Sequence, residues 1–158
     1  MINLDQLRYL SMEIAILGLG CFWGPEIKFS KLDGIAKTEV GYCGGNSDKT
    51  NYKEVCSGTT NHAEVVKLEF NPNIISYENI LEHFFKFHDP TTLNSQGPDF
   101  GTQYRSEIFY TNDDQKTIAQ KMVEKENIKL SGKVVTKISL TKNYCTAEEY
   151  HQKYLEKR

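Results

Sequence analysis

Apolar positions along the chain follow two periods, and the switches between them mark out the elements. IAILGL (14–19) is an unbroken apolar run of strand length and reads as a short buried strand. Pro25 stands where proline suits the first turn of a helix, predicted to reach about Leu32. Asp33-Gly34 mark a turn, and IAKTEVGY (35–42) is a second strand. HAEVVKLEF (62–70) is a third, with Glu64, Val66, Leu68 and Phe70 on one face. Ser76 is placed to cap a helix ending near His88, apolar at Ile80, Leu81, Phe84, Phe85 and Phe87. RSEIFYT (105–111) reads as a strand, 113–128 as an amphipathic helix and KVVTKISL (133–140) as a further strand. TAEE (146–149) is a capping box predicted to open a last helix. Residues 4–12 read either as a short helix or as a loose arm.

Two stretches lack a period. Residues 44–61 are mostly loop, with a helical turn expected around Tyr52–Val55. DPTTLNSQGPDFGTQY (89–104) is long and Gly/Pro-bearing, and such loops in compact domains tend to carry function. No repeat, linker or low-complexity segment divides the chain, so residues 1–158 are read as one domain. The order β-α-β-β-α-β followed by α-β-α predicts an α+β protein, a two-layer sandwich. Its βαββαβ core is ferredoxin-like and carries a C-terminal extension. Fold alone assigns no activity.

Composition narrows the function classes. The chain has 158 residues, 39% of them hydrophobic, enough for a core. The formal net charge is −2 and no basic patch is evident, so nucleic acid is not an expected partner. The apolar run at 14–19 is too short to span a membrane, and no signal-peptide pattern frames it, so a cytoplasmic protein is expected. Cysteines stand at 21, 43, 56 and 145 without a C-x-x-C pair, and they read as free thiols, one of them a candidate for catalysis.

Cys21 lies between a buried strand and a helix start, in GLGCFWGPE. Backbone N–H groups and the helix dipole at that position favour the thiolate and predict a lowered thiol pKa. The same position also suits an inert buried cysteine. Phe22 and Trp23, the one tryptophan, are either core rings or the wall of an apolar pocket beside the sulfur. Glu64 begins the core face of its strand. Buried there without a cation, its carboxyl is held neutral by desolvation and can donate a proton near neutral pH; at a frayed strand end it is merely solvated. His62, His83, His88 and His151 match no standard zinc spacing with the cysteines, so no metal is expected. A cysteine hydrolase needs a histidine base, and nothing in the spacing selects one.

Taken together, GCFWG (20–24), NYKEVCSG (51–58), HAEVV (62–66), HDPTT (88–92), QGPDFGTQYRS (96–106) and AEEYHQKYL (147–155) resemble the A-type peptide methionine sulfoxide reductases. The motifs run in the family order and cover nearly all of a catalytic body at about 14–155. The resemblance implies an elaborated ferredoxin-like fold and an enzyme without a cofactor. It implies that Cys21 attacks the sulfur of a methionine sulfoxide, free or in an oxidised protein. Phe22 and Trp23 then line the S-methyl pocket, Glu64 protonates the sulfoxide oxygen, Tyr52 and Tyr104 hydrogen-bond it, and Asp99 helps organise the site. The implied partner is thioredoxin or another thiol reductant. Cys21 is left as a sulfenic acid.

Three departures from the family pattern stand out. Leu19-Gly20 replaces a common Gly-Gly, and Asn61 replaces a common Gly before HAE. The C-terminal tail in which many members carry resolving cysteines is missing after Leu155. Cys145 and Cys43 are therefore the internal candidates for a resolving thiol, Cys56 lying in a motif not associated with that role. The alternative is direct reduction of Cys21 by an external thiol. Two other readings stay open: a thiol peroxidase or related cysteine redox enzyme, and a module that binds methionine-like side chains without turnover.

Overall fold

The computed structural model describes Asn3 and residues 12–158. The alternatives for 4–12 thus fall almost wholly outside the described residues. In chain order the elements are β1 (Glu13–Leu19), α1 (Trp23–Ser30), β2 (Ile35–Cys43), α2 (Tyr52–Cys56), β3 (Ala63–Phe70), α3 (Tyr77–Phe87), β4 (Ser95–Gln96), β5 (Asp99–Phe100), β6 (Ser106–Tyr110), α4 (Asp113–Lys129), β7 (Lys137–Leu140) and β8 (Cys145–Thr146). Short 3₁₀ turns cover Thr102–Tyr104 and Glu149–His151. Six strands form one mixed sheet in the order β7-β6-β1-β3-β2-β8, antiparallel except for β6 beside β7.

The alternation along β3 sorts the core. Val66, Leu68 and Phe70 pack with Ala15, Leu17 and Ile108 under Phe29 of α1, Ile80, Leu81 and Phe84 of α3, and Ala119 and Met122 of α4. Ala63 and Val65 face the other way, into a smaller cluster with Ile16, Cys43 and Phe109. The helices start where the sequence supplies caps: Ser76, Asn112 and Asn51 each accept a first-turn N–H, from Asn79, Gln115 and Glu54. α1 is the exception. Its N-cap is Phe22, which has no side chain able to cap.

The structure departs from the sequence pattern in three places. The expected strand at 133–140 forms only over Lys137–Leu140. The loop at 89–104 contains a hairpin, β4 with β5, which carries Asp99. The capping box at 146–149 opens no α-helix. Thr146 is instead the end of β8, pairing with Gly41 of β2. The groups that would cap a helix have tertiary partners: the Thr146 hydroxyl donates to Glu39, and Glu148 accepts from Tyr42, Tyr52 and Tyr150. Gln152 then completes the edge of β2 like a strand residue, accepting from Val40 N and donating to Val40 O, both at 2.9 Å.

Candidate active site

The site forms where β1 ends and α1 begins. Gly20 has φ +96°, and a Cβ there would lie 2.8 Å from Cγ of Gln96 on the hairpin, so the turn presenting Cys21 requires glycine. Leu19 is simply core, 3% exposed, which accounts for the absence of a second glycine. Asn61 sits at φ 61°, a left-handed position that asparagine tolerates nearly as well as the common glycine. Because α1 lacks a side-chain cap, its first N–H groups serve the site. The Phe22 N–H donates to Glu64 Oε1 at 3.2 Å, and the Trp23 N–H is directed at the Cys21 sulfur.

Glu64 lies on the core face of β3, opposite Tyr42 of β2, and is 1% exposed. Its Oε1 takes the Phe22 N–H, while Oε2 has no hydrogen-bond partner among the described residues. Burial raises its pKa to about 8; the Phe22 N–H works against that shift and the Asp99 charge adds to it. Glu64 is therefore a neutral acid at pH 7, with one oxygen free to donate.

Cys21 corrects one expectation. Its thiol is raised to about 11 rather than lowered, because burial under the neighbouring rings outweighs the single N–H from Trp23. The charges of Glu64 and Asp99 add to the rise. Below about pH 8 Glu64 is protonated, and its part of that repulsion is gone.

Around this pair stand the remaining sequence candidates. Tyr52 and Tyr104 both feel the Glu64 charge, and Tyr104 also that of Asp99 and Cys21. Burial raises both phenols, Tyr104 to about 12, so each remains a hydrogen-bond donor at neutral pH. Phe22 is fully buried between Tyr42 and His151, whereas Trp23 is half-exposed and stacked by Tyr154 at 3.8 Å. Arg105 ties the Tyr104 turn in place. It pairs with buried Glu107 at 2.6 Å and donates to the carbonyls of Thr102 and Asn61, both at 2.9 Å.

The other thiols are distributed unequally. Cys43 is fully buried on the opposite face of the sheet from Glu64, its thiol donating to the Lys142 carbonyl. Cys145, half-buried in edge strand β8, donates to the Thr50 carbonyl. Cys56, set aside on sequence, is the thiol that shares the site. It interacts with the Tyr52 hydroxyl and adds to the electrostatic environment of Cys21. The four histidines are dispersed: His62 bonds Gly45 and Ser47, and His88 bonds Ser106. Among the described residues no cluster of three or more His, Cys, Asp or Glu is arranged to hold a metal ion. None of their helices is long and apolar enough to cross a membrane.

What the sequence reading missed is the C-terminal segment. AEEYHQKYL carries Glu148, His151 and Gln152, each of which reaches back to β2, α2 or Trp23. The motif was visible, but nothing local to it says which strand edge it covers.

Comparisons with known proteins agree with one another. The profile described as peptide methionine sulfoxide reductase matches residues 13–158. The chain is 76% identical over 147 residues to the peptide methionine sulfoxide reductase MsrA of Pelagibacter ubique, covering 93% of this chain and 100% of that protein. Among solved structures, Mxr1 from Saccharomyces cerevisiae in reduced form superposes with a TM-score of 0.89 at 43% identity, covering 94% of this chain and 87% of that one. Mxr1 in complex with Trx2 gives a TM-score of 0.65 at 29% identity, covering 92% and 86%.

Proposed function

The chain belongs to the A-type peptide methionine sulfoxide reductase family and is an oxidoreductase, and from that premise we propose that it reduces methionine-S-sulfoxide, free or in proteins, through a sulfenic acid on Cys21. The observation that carries the reading is the buried, neutral Glu64, hydrogen-bonded to the residue after Cys21 and holding one free oxygen. A sulfoxide oxygen leaves only once protonated, so a nucleophile at sulfur needs an acid at oxygen. Cys21 supplies the first and Glu64 the second. Tyr52 and Tyr104 donate hydrogen bonds to the oxygen, Asp99 orders the hairpin side of the site, and Phe22 and Trp23 wall the methyl group. The new S–O bond forms on Cys21 as the S–O bond of the substrate breaks. Methionine leaves with the electron pair, and the thiol proton is conserved in the sulfenic acid.

Recycling requires a thiol reductant. The yeast relative is known in complex with Trx2, which supports a thioredoxin-type partner here. We favour direct reduction of Cys21 by that external thiol, with Cys43 and Cys145 as the internal alternatives and Cys56 added by its place beside Tyr52. The ferredoxin-like reading of the core is supported by the strand order β6-β1-β3-β2, all antiparallel. Cytoplasmic placement accords with free thiols at all four cysteines.

The test is incubation with each methionine sulfoxide epimer and dithiothreitol. Loss of the S epimer alone, with stoichiometric methionine, is expected. Consumption of peroxide but of neither epimer overturns the reading in favour of a peroxidase, and binding without turnover in favour of a recognition module.

A further inference from the structure

His151 is 2% exposed and lies at the centre of a box of rings: Phe22 at 5.2 Å, Trp23 at 5.7 Å, Tyr52 at 4.5 Å and Tyr150 at 4.3 Å between centroids. Its Nδ1 accepts the indole N–H of Trp23 at 3.1 Å. An indole nitrogen can only donate, so Nδ1 carries no proton and the neutral ring is protonated at Nε2. Nε2 is buried and has no hydrogen-bond partner among the described residues. A polar ring with one unmet group, surrounded by aromatics, is costly unless its other nitrogen does something an apolar ring cannot. That nitrogen holds the residue assigned to the methyl pocket.

The histidine is itself fixed from outside the pocket. Gln152 bridges the free edge of β2 at Val40, Lys153 N donates to Glu26 Oε1 at 2.6 Å, and Ala147 N donates to the Val40 carbonyl at 3.0 Å. Tyr154, on the same segment, stacks on the indole within 11° of parallel. Trp23 opens an uncapped helix and has no such clamp on its own element. We propose that His151 is a positioning residue for sulfoxide reduction, locking the Trp23 indole through Nδ1 so that the methyl wall is preformed when substrate arrives. The proposal rests on the reading of Trp23 as substrate wall. A wall held in place lowers the ordering cost of binding, so its loss weakens substrate capture rather than the chemical step.

The test compares His151→Phe, which keeps the ring but not the acceptor, with His151→Asn, whose amide oxygen can take the place of Nδ1. Trp23 is the one tryptophan, so its indole N–H gives a single resonance in a proton–nitrogen correlation spectrum. In His151→Phe that resonance is expected to shift and lose exchange protection, and KM for methionine sulfoxide to rise roughly 5- to 30-fold with single-turnover kcat nearly kept. His151→Asn is expected to restore both readouts. Added to Trp23→Phe, His151→Phe is expected to raise KM no further. An unchanged indole resonance, or a fall in kcat at constant KM, overturns the positioning role. Should His151→Phe not fold, the wild-type imidazole nitrogen spectrum decides: a bare Nδ1 coupled to the indole proton supports the proposal, and the opposite tautomer overturns it. The spectra do not depend on turnover, so failure of the reductase reading is separately visible.

Discussion

The backbone N–H of Phe22 donates to Glu64 Oε1 at 3.2 Å, joining the start of α1 to β3 across 42 positions of sequence. One bond thereby fixes the distance between the residue after the nucleophile and the acid. It also occupies only one carboxyl oxygen, leaving Oε2 for the substrate.

Replacing Cys21 with serine removes the only sulfur placed beside Glu64 at this junction. Methionine release is expected to fall to background while circular dichroism and thermal unfolding stay as in the parent. Measurable turnover in Cys21→Ser would overturn the nucleophile assignment.

Glu64→Gln keeps the acceptor for the Phe22 N–H and loses the acidic proton. Single-turnover reduction is expected to slow by ~10²–10⁴-fold. The pH profile carries more information. The reactive form needs the Cys21 thiolate and the Glu64 acid together, with pKa values of about 11 and about 8. One proton must therefore be lost, and kcat/KM is expected to climb with pH up to about 8, where ionisation of Glu64 levels it. In Glu64→Gln the climb is expected to continue past that point. A wild-type optimum below neutrality would contradict this pair.

The same carboxyl links stability to pH. Its folded pKa of about 8 lies above the model-compound value of 4.5, so the native state binds the proton more tightly than the unfolded chain. Its contribution is full below about 4.5 and is lost as pH rises through about 8. Denaturant midpoints of wild type are expected to fall relative to Glu64→Gln across that window. Parallel curves would show Glu64 ionised in the native state.

Arg105 and Glu107 form a buried pair, their side chains 8% and 6% exposed. Arg105→Met leaves the Glu107 charge uncompensated and is expected to cost about 3–5 kcal/mol in urea unfolding. Because Arg105 also holds the Thr102 and Asn61 carbonyls, kcat is expected to fall with it. Arg105→Met with Glu107→Leu should recover stability more fully than activity; equal recovery would separate the pair from the Tyr104 turn.

One equivalent of substrate on the reduced enzyme is expected to consume one thiol and to leave a dimedone adduct on Cys21. Loss of two thiols, with a peptide map joining Cys21 to Cys56, Cys43 or Cys145, would replace the external route by an internal disulfide.

Much of this molecule is determined by local pattern. The alternation from Glu64 to Phe70 places a carboxylate on the core face, and GCFWG places a thiol between a buried strand and a helix start; both follow from backbone geometry that neighbouring residues dictate. The state of those groups is not local. Cys21 was expected to be acidified by a helix terminus, yet burial raised it, because desolvation sums over rings arriving from α1, α2 and the hairpin. The last helix expected after Thr146 gave way to β8 and a 3₁₀ turn, because Glu148 and Gln152 gain partners on Tyr42, Tyr52 and Val40 that no local signal announces. Sequence periodicity decided which side chains face inward. Only tertiary packing decided which of them would be neutral, which would be held, and that a histidine near the C-terminus would hold the tryptophan beside the nucleophile.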